Sequence, residues 1–196
     1  MLLGPDRCLL CGAPGAAVCA RCLVRGRARA MPPPLHVDAC TALLDYRPAR
    51  PVITKLKNGQ HRALVGPLAS ALAELVEPPR AAVVAWAPTT PERARRRGFD
   101  QAELLARAVA RRWALPPARL LRRARRTAQT GRSAQERRRT PAFQVVAPVP
   151  PVVVLVDDVV TTGATLTAAA RALRASGALQ VHAVAVAQAE RRAGPG

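Results

Sequence analysis

The stretch at residues 152–166 reads VVVLVDDVVTTGATL. Its first five residues are apolar and predict a strand that is buried on both faces, as strands of a parallel sheet are. Asp157 and Asp158 follow at the carboxyl end of that strand, the edge where open α/β sheets bind ligands. A loop of threonines and Gly163 then opens a helix, whose free N–H groups and positive dipole end suit a phosphate group. The stretch therefore predicts a phosphate site beside two carboxylates.

Strands and helices alternate on either side of this stretch. Apolar runs predict strands at residues 39–46, 81–86, 152–156 and 181–187. Apolar residues at three- and four-residue spacing predict helices over residues 64–76 and 102–113, and another after Thr165 that ends near Gly177. Residues 88–98 are predicted to be a loop, and residues 119–144 a short strand followed by a mobile loop. The pattern indicates an α/β domain with a mainly parallel sheet and flanking helices.

From Val153 to Thr165 the sequence resembles the hallmark of the type I phosphoribosyltransferases, a hydrophobic strand followed by Asp-Asp-x-x-Thr-Thr-Gly-x-Thr. The resemblance implies that the chain binds 5-phosphoribosyl-1-pyrophosphate together with Mg²⁺. It implies a catalytic role for Asp157 and Asp158, which would contact the ribose hydroxyls and favour the positive charge that develops on the sugar. It also implies a cradle for the 5-phosphate formed by Thr161, Thr162, Gly163, Ala164 and Thr165.

Two other interpretations of this stretch are weaker. A strand end with an acidic turn and a threonine cap would account for one acid and one threonine, but it does not require the whole set. A nucleotide hydrolase would need a Gly-x-x-x-x-Gly-Lys-Ser/Thr loop elsewhere in the chain. The two lysines, Lys55 and Lys57, do not lie in such a loop, so this class is excluded.

A second motif, Arg97-Gly98-Phe99-Asp100-Gln101, resembles the Arg-Gly-Phe-Asn-Gln signature of the ComF family. These phosphoribosyltransferase-like proteins are linked to natural competence and DNA uptake. Leu56-Lys57-x-Gly59 upstream, the basic residues from Arg122 to Arg139 and Phe143 also follow the ComF order. Guanidinium groups can grip a pyrophosphate through paired hydrogen bonds, although a solvated basic loop is the alternative. The predicted pyrophosphate-binding residues are Arg93, Arg97, Gly98 and Lys57.

The charge of the chain is strongly positive. Lys and Arg number 31 against 12 Asp and Glu, a formal net charge of +19, and residues 93–139 hold 16 basic and 3 acidic residues. Such a field attracts phosphate-bearing partners, although genomic base composition can explain part of the arginine excess. Aromatic residues are only 3% of the chain, which disfavours recognition by base stacking.

Two functions are compatible with these features. The first is transfer of the phosphoribosyl group to an unknown nitrogen acceptor. The alternative is a non-catalytic helper of DNA uptake that binds single-stranded DNA through the basic residues 93–139. A pair of adjacent acids would repel a DNA backbone, so the presence of Asp157 and Asp158 favours phosphoribosyl transfer.

Four cysteines form two Cys-x-x-Cys pairs near the N-terminus, Cys8 with Cys11 and Cys19 with Cys22. Four thiolates suit a tetrahedral, structural Zn²⁺ site, although free thiols or redox disulfides would show the same spacing. We therefore predict a zinc module over residues 1–30, a proline-rich linker over 31–37 and a phosphoribosyltransferase-like domain over 38–196. Cys40 is expected to be an ordinary core residue.

The location is expected to be cytoplasmic, without membrane insertion. No apolar run approaches the ~20 residues of a membrane helix, and the first five residues are too short for a signal peptide. Because this fold class often dimerises, a homodimer or a competence-protein partner is possible.

Overall fold

A computed structural model describes residues 7–25, 31–58, 62–124 and 142–189. Three predicted features lie outside these ranges: Gly59 of the Leu56-Lys57-x-Gly59 motif, part of the predicted mobile loop, and the basic residues from 125 to 139. Within them, no helix is long and apolar enough to cross a membrane.

The central sheet is built from four parallel strands. They are β1 (Ala39–Asp45), β2 (Val83–Trp86), β5 (Val152–Val160) and β6 (Gln180–Gln188). Their order across the sheet is β1-β6-β5-β2, so the strand with the two acids lies in the interior. Two short strands, β3 (Leu121–Arg123) and β4 (Phe143–Val145), pair antiparallel in a separate small sheet.

Helices cover both faces of the sheet. They are α1 (Ala20–Arg25), α2 (Tyr46–Lys57), α3 (Val65–Leu75), α4 (Pro91–Arg97), α5 (Gln101–Trp113) and α6 (Ala164–Arg174), with a 3-10 turn at Arg62–Leu64. One buried core lies between the sheet and α2, α3 and α5. A second core lies on the opposite face, under α6 and the β3–β4 sheet. These layers confirm the predicted α/β fold with its mainly parallel sheet and flanking helices.

The predicted loop over residues 88–98 is wrong in part, because it contains helix α4. Thr90 precedes the helix and its hydroxyl accepts a hydrogen bond from the N–H of Arg93, so it acts as an N-cap. Pro91 occupies the first turn, where its missing N–H costs nothing. Gly98 ends the helix with φ +75°, in the left-handed region that glycine adopts freely.

Strand β5 is longer than the five apolar residues predicted. It continues through both acids to Val160 because β6 pairs with it along this whole length, Asp157 with Ala185 and Val160 with Gln188. The two acids therefore belong to the strand and do not follow it. Side chains alternate between the two faces of a strand, so neighbouring acids start on opposite faces of the sheet.

The predicted linker is packed against the main domain. Pro34 and Val37 are buried, and Arg174 of α6 donates to the carbonyl oxygen of His36 at 2.9 Å and to both carboxylate oxygens of Asp38 at 2.7 Å. This segment therefore lies along α6 instead of projecting into solvent.

Candidate functional site

Asp158 is the centre of a chain of polar contacts on the α2 and α5 side of the sheet. Lys57, the last residue of α2, places its Nζ 3.4 Å from Asp158 Oδ2. Gln101, the first residue of α5, donates from Nε2 to the same oxygen at 3.0 Å. Arg97 at the end of α4 donates to Gln101 Oε1 at 2.8 Å. Three helices therefore fix the position of one carboxylate.

Asp157 lies in a different environment. Its side chain is buried, with 8% of its surface exposed, and burial together with the charge of Asp158 raises its pKa well above the ordinary carboxyl value. The N–H of Asp158 donates to Asp157 Oδ1 at 2.8 Å and partly offsets that cost. Burial and the charge of Asp157 raise the pKa of the Cys40 thiol to about 11, so that thiol stays protonated near neutral pH.

The threonine loop joins β5 to α6 and is open to solvent at Thr161 and Thr162. Gly163 has φ +76°, and Thr162 Oγ1 accepts a hydrogen bond from the N–H of Ala164 at 3.3 Å. The next helical N–H groups have no partner within the helix, as at any helix start. A recess of about 30 Å³ lies against this loop.

The proline segment packs directly against this loop. A Cβ at position 163 would lie 2.9 Å from Pro34 Cγ and 3.0 Å from its Cβ. Position 163 is therefore restricted to glycine both by its backbone angle and by a neighbouring ring.

A cavity of about 320 Å³ opens at the carboxyl edge of the sheet, and we call it the edge cavity. The predicted residues that line it come from three separate parts of the chain: Lys57, Arg93 with Arg97, and Asp157, Asp158, Thr161 and Thr165 of the stretch at residues 152–166. Thr162, Gly163 and Ala164 line the adjoining recess together with Asp157. Gly98 lines neither space, because it ends α4 on the side facing a neighbouring groove.

The carboxylate of Asp100 connects two segments beside the edge cavity. One of its oxygens accepts from the N–H of Thr89 at 2.8 Å, and the other accepts from the N–H of Ala102 at 3.0 Å. It thereby caps α5 and ties the segment after β2 to it. Burial raises its pKa, and the hydrogen bonds oppose that shift. The Arg-Gly-Phe-Asn-Gln signature has asparagine at this position. The single side-chain oxygen of an asparagine could replace only one of the two carboxylate oxygens, whereas Asp100 accepts both hydrogen bonds.

Sequence reasoning did not assign several residues that line the edge cavity. Gln101 belongs to the second motif without a predicted role, although it contacts Asp158 directly. Tyr46, Thr89 and Arg123 also line the cavity. The motif itself was the available signal for Gln101, whereas the other three reach the cavity only through the tertiary fold.

The four cysteines of the N-terminal segment converge. Their sulfur atoms all lie within 4.8 Å of one another, and the Sγ atoms of Cys11 and Cys19 are 3.6 Å apart. Bonds of ~2.3 Å in a tetrahedron separate neighbouring sulfurs by about 3.8 Å, so the cluster fits a metal such as zinc. Burial opposes ionisation of Cys8, but backbone hydrogen bonds outweigh it and lower its pKa to about 6. Cys40 lies apart from this cluster, buried in the second core.

Comparison with protein families identifies one domain. Residues 100–195 match the model of the phosphoribosyl transferase domain, which is 96 of the 196 residues and just under half of the chain. The match includes both acids, the threonine loop and Gln101, while Lys57, Arg93 and Arg97 precede it. No curated protein matches the chain. The match supports the wider phosphoribosyltransferase-like family and suggests a transferase.

Proposed function

We propose, with the phosphoribosyl transferase domain of residues 100–195 as the premise, that this chain binds 5-phosphoribosyl-1-pyrophosphate with Mg²⁺ and transfers its phosphoribosyl group to a nitrogen acceptor. One observation carries the proposal. The acids of β5 and the threonine loop line one continuous edge of the sheet, with Lys57, Arg93 and Arg97 lining the same cavity. Such an arrangement offers separate contacts for a sugar, its phosphate and its pyrophosphate.

In this proposal the threonine loop and the start of α6 bind the 5-phosphate through hydroxyl and N–H groups. Asp157 and Asp158 orient the ribose by accepting hydrogen bonds from its hydroxyls, and their charge favours the oxocarbenium-like sugar. Lys57, Arg93 and Arg97 hold the pyrophosphate.

Mg²⁺ is a hard cation that takes oxygen ligands, so carboxylates and hydroxyls at this edge suit it. When bound, it neutralises charge on the departing pyrophosphate. Lys57, Arg93 and Arg97 line the same cavity and would also neutralise charge on the pyrophosphate.

Calorimetry with 5-phosphoribosyl-1-pyrophosphate and Mg²⁺ tests the proposal. We expect the parent to bind and the Asp157→Ala/Asp158→Ala variant to lose binding. Glu74→Ala/Glu77→Ala removes the same charge from exposed positions outside the edge cavity and serves as the matched control. A ligand at a hundred times its Kd would stabilise the parent by about 2.7 kcal/mol, which thermal melting would detect. Equal binding by the double aspartate variant would refute the assignment.

The four-cysteine cluster is proposed to hold a structural Zn²⁺. A site with four thiolate ligands has no open position for a substrate, so it stabilises the fold and takes no part in the chemistry. The segment from residue 7 to residue 25 has few buried apolar residues, Cys8 and Val18 among them, which is consistent with a fold that depends on metal.

Membership of the ComF family and a role in DNA uptake remain proposals that rest on the second motif and the charge. A cytoplasmic location is a proposal that rests on the sequence having no apolar run of membrane-spanning length. The alternative of single-stranded DNA binding makes a separate prediction. The logarithm of the affinity would fall with the logarithm of salt concentration, with a slope of about −0.7 for each phosphate contacted. A flat salt response would argue against it.

A further inference from the structure

A second and larger space lies beside the edge cavity. This space, which we call the arginine groove, has a volume of about 830 Å³ and is bounded by α4, the start of α5 and the β3–β4 sheet. Pro88, Thr89 and Arg123 line both the arginine groove and the edge cavity, so the two spaces share a wall. A molecule in the groove is thus next to whatever occupies the edge cavity.

The lining of the groove is strongly cationic. Its four arginines are Arg95, Arg119, Arg122 and Arg123, and its two acids are Asp100 and Glu103. Both acids are already engaged, Asp100 by two backbone N–H groups and Glu103 by Arg107 at 2.9 Å. Four arginines against two acids leave the lining with a net positive charge.

Arg119 and Arg122 are the least committed of these arginines. Within the ranges that the structure describes, neither has a carboxylate within 4.0 Å. Arg122 belongs to β3 and is exposed, and Arg119 lies just before that strand. Two guanidinium groups on a short paired strand and its approach can bind one phosphate through several charge-assisted hydrogen bonds.

We propose that the arginine groove is the acceptor site and that the acceptor carries a phosphate group of its own. This inference rests on the proposed phosphoribosyl transfer. The acceptor nitrogen would form a bond to the anomeric carbon as the bond from that carbon to the pyrophosphate oxygen breaks. Pyrophosphate leaves with the electron pair, and the nitrogen loses its proton to water. Arg119 and Arg122 would hold the acceptor phosphate away from the reacting carbon.

The size and charge of the groove favour a small phosphorylated molecule over a polynucleotide. Its volume lies in the range of about 300–1,000 Å³ that accommodates one small ligand. Acids in the lining also interrupt the basic surface, whereas a groove that follows a nucleic-acid backbone is continuously positive.

Calorimetry on the full chain tests this inference. Each of the four common nucleoside 5′-monophosphates and its parent nucleoside is titrated, with Ca²⁺ in place of Mg²⁺, into protein saturated with 5-phosphoribosyl-1-pyrophosphate; both ions are hard cations that take oxygen ligands. Saturation occupies the edge cavity and confines the probes to the groove. At least one nucleotide should bind tenfold or more tightly than its nucleoside.

The Arg119→Gln/Arg122→Gln variant should bind the nucleotide no more tightly than its nucleoside. Its affinity for 5-phosphoribosyl-1-pyrophosphate should stay within twofold of the parent's. The control Arg111→Gln/Arg112→Gln makes the same charge change on exposed positions of α5 outside the groove and should behave as the parent. Circular dichroism verifies the fold of each variant.

Three results would overturn the inference. Nucleotides could bind no better than nucleosides, or the groove variant could bind them like the parent. A single-stranded oligonucleotide could also depend on Arg119 and Arg122 while mononucleotides fail to compete, which would make the groove a nucleic-acid surface. Failure of the parent to bind 5-phosphoribosyl-1-pyrophosphate would instead refute the proposed function. Arginine-dependent nucleotide binding in that case would leave a phosphate site without an acceptor role.

Discussion

Gly163→Ala should be unusually destabilising for the loss of a glycine, because the position is restricted in two ways. An alanine there keeps φ +76°, which costs about 1–2 kcal/mol for a residue with a Cβ. Its Cβ would also lie 2.9 Å from Pro34 Cγ and 3.0 Å from Pro34 Cβ. A proline ring cannot rotate away, so overpacking adds about 1–3 kcal/mol. The expected loss is therefore about 2–5 kcal/mol in the free energy of unfolding.

Gly98→Ala is the matched control. Gly98 has φ +75°, almost the same angle, but among the described residues beyond its own chain neighbours no atom lies within 4 Å of a Cβ built there. Only the backbone cost of about 1–2 kcal/mol applies to this variant. The difference between the two alanine variants thus isolates the contact with Pro34.

Urea unfolding of both variants measures this difference, and thermal melting gives a second readout of roughly 2–4 °C for each kcal/mol in a chain of this size. Pro34→Gly removes the opposing ring atoms, so the double variant Gly163→Ala/Pro34→Gly should recover part of the loss in a double-mutant cycle. If Gly163→Ala destabilises no more than Gly98→Ala, or the cycle shows no coupling, the close packing of the linker on the threonine loop is wrong.

Three further predictions concern the acids, the metal and the polar chain. Burial raises the pKa of Asp157, so its contribution to ligand-free stability is greatest at low pH and falls as pH rises above the ordinary carboxyl range. Asp157→Asn should remove this loss of stability with rising pH and raise the ligand-free Tm near pH 7. It should also abolish binding of 5-phosphoribosyl-1-pyrophosphate. A lower Tm with an unchanged dependence on pH would contradict this prediction. Elemental analysis should find about one zinc per chain, lost in the double variant Cys11→Ser/Cys22→Ser and retained in Cys40→Ser; zinc retained by both variants would exclude the cluster as its site. Gln101→Ala should weaken binding of 5-phosphoribosyl-1-pyrophosphate by roughly 5–30-fold, as expected for the loss of about 1–2 kcal/mol of hydrogen bonding. The control Gln180→Ala, at an exposed position, should leave the affinity unchanged. Equal affinities of the Gln101→Ala variant and the parent would leave Gln101 without a role in binding.

The sequence identifies the strands of the central sheet because buried parallel strands are nearly continuous apolar runs. It does not reveal that β5 continues through the acids, since that extension depends on pairing with β6. Helix α2 was not predicted, although Ala49, Val52, Ile53 and Leu56 form a regular buried face. Pro51 within the helix argues against one when the sequence is considered alone.

The candidate site divides in the same way. A local motif is sufficient to predict the acids and the threonine loop, because all of them lie in one stretch of chain. The contact of Gln101 with Asp158 spans 57 positions, and the contact of Lys57 with the same acid spans a larger separation. The sequence motifs single out Lys57 and Gln101, but only the tertiary fold shows that both residues contact Asp158.

The alternation of the two acids along β5 has a mechanical consequence. Asp158 is held by Lys57 and Gln101 on one side of the sheet, while Asp157 lies on the other side, next to the threonine loop. A single molecule that binds both carboxylates would couple the helices on one face of the sheet to the helix on the other face through strand β5. Binding of such a molecule should slow amide hydrogen exchange in both α2 and α6. A molecule that contacts only one acid should slow exchange on only one face of the sheet.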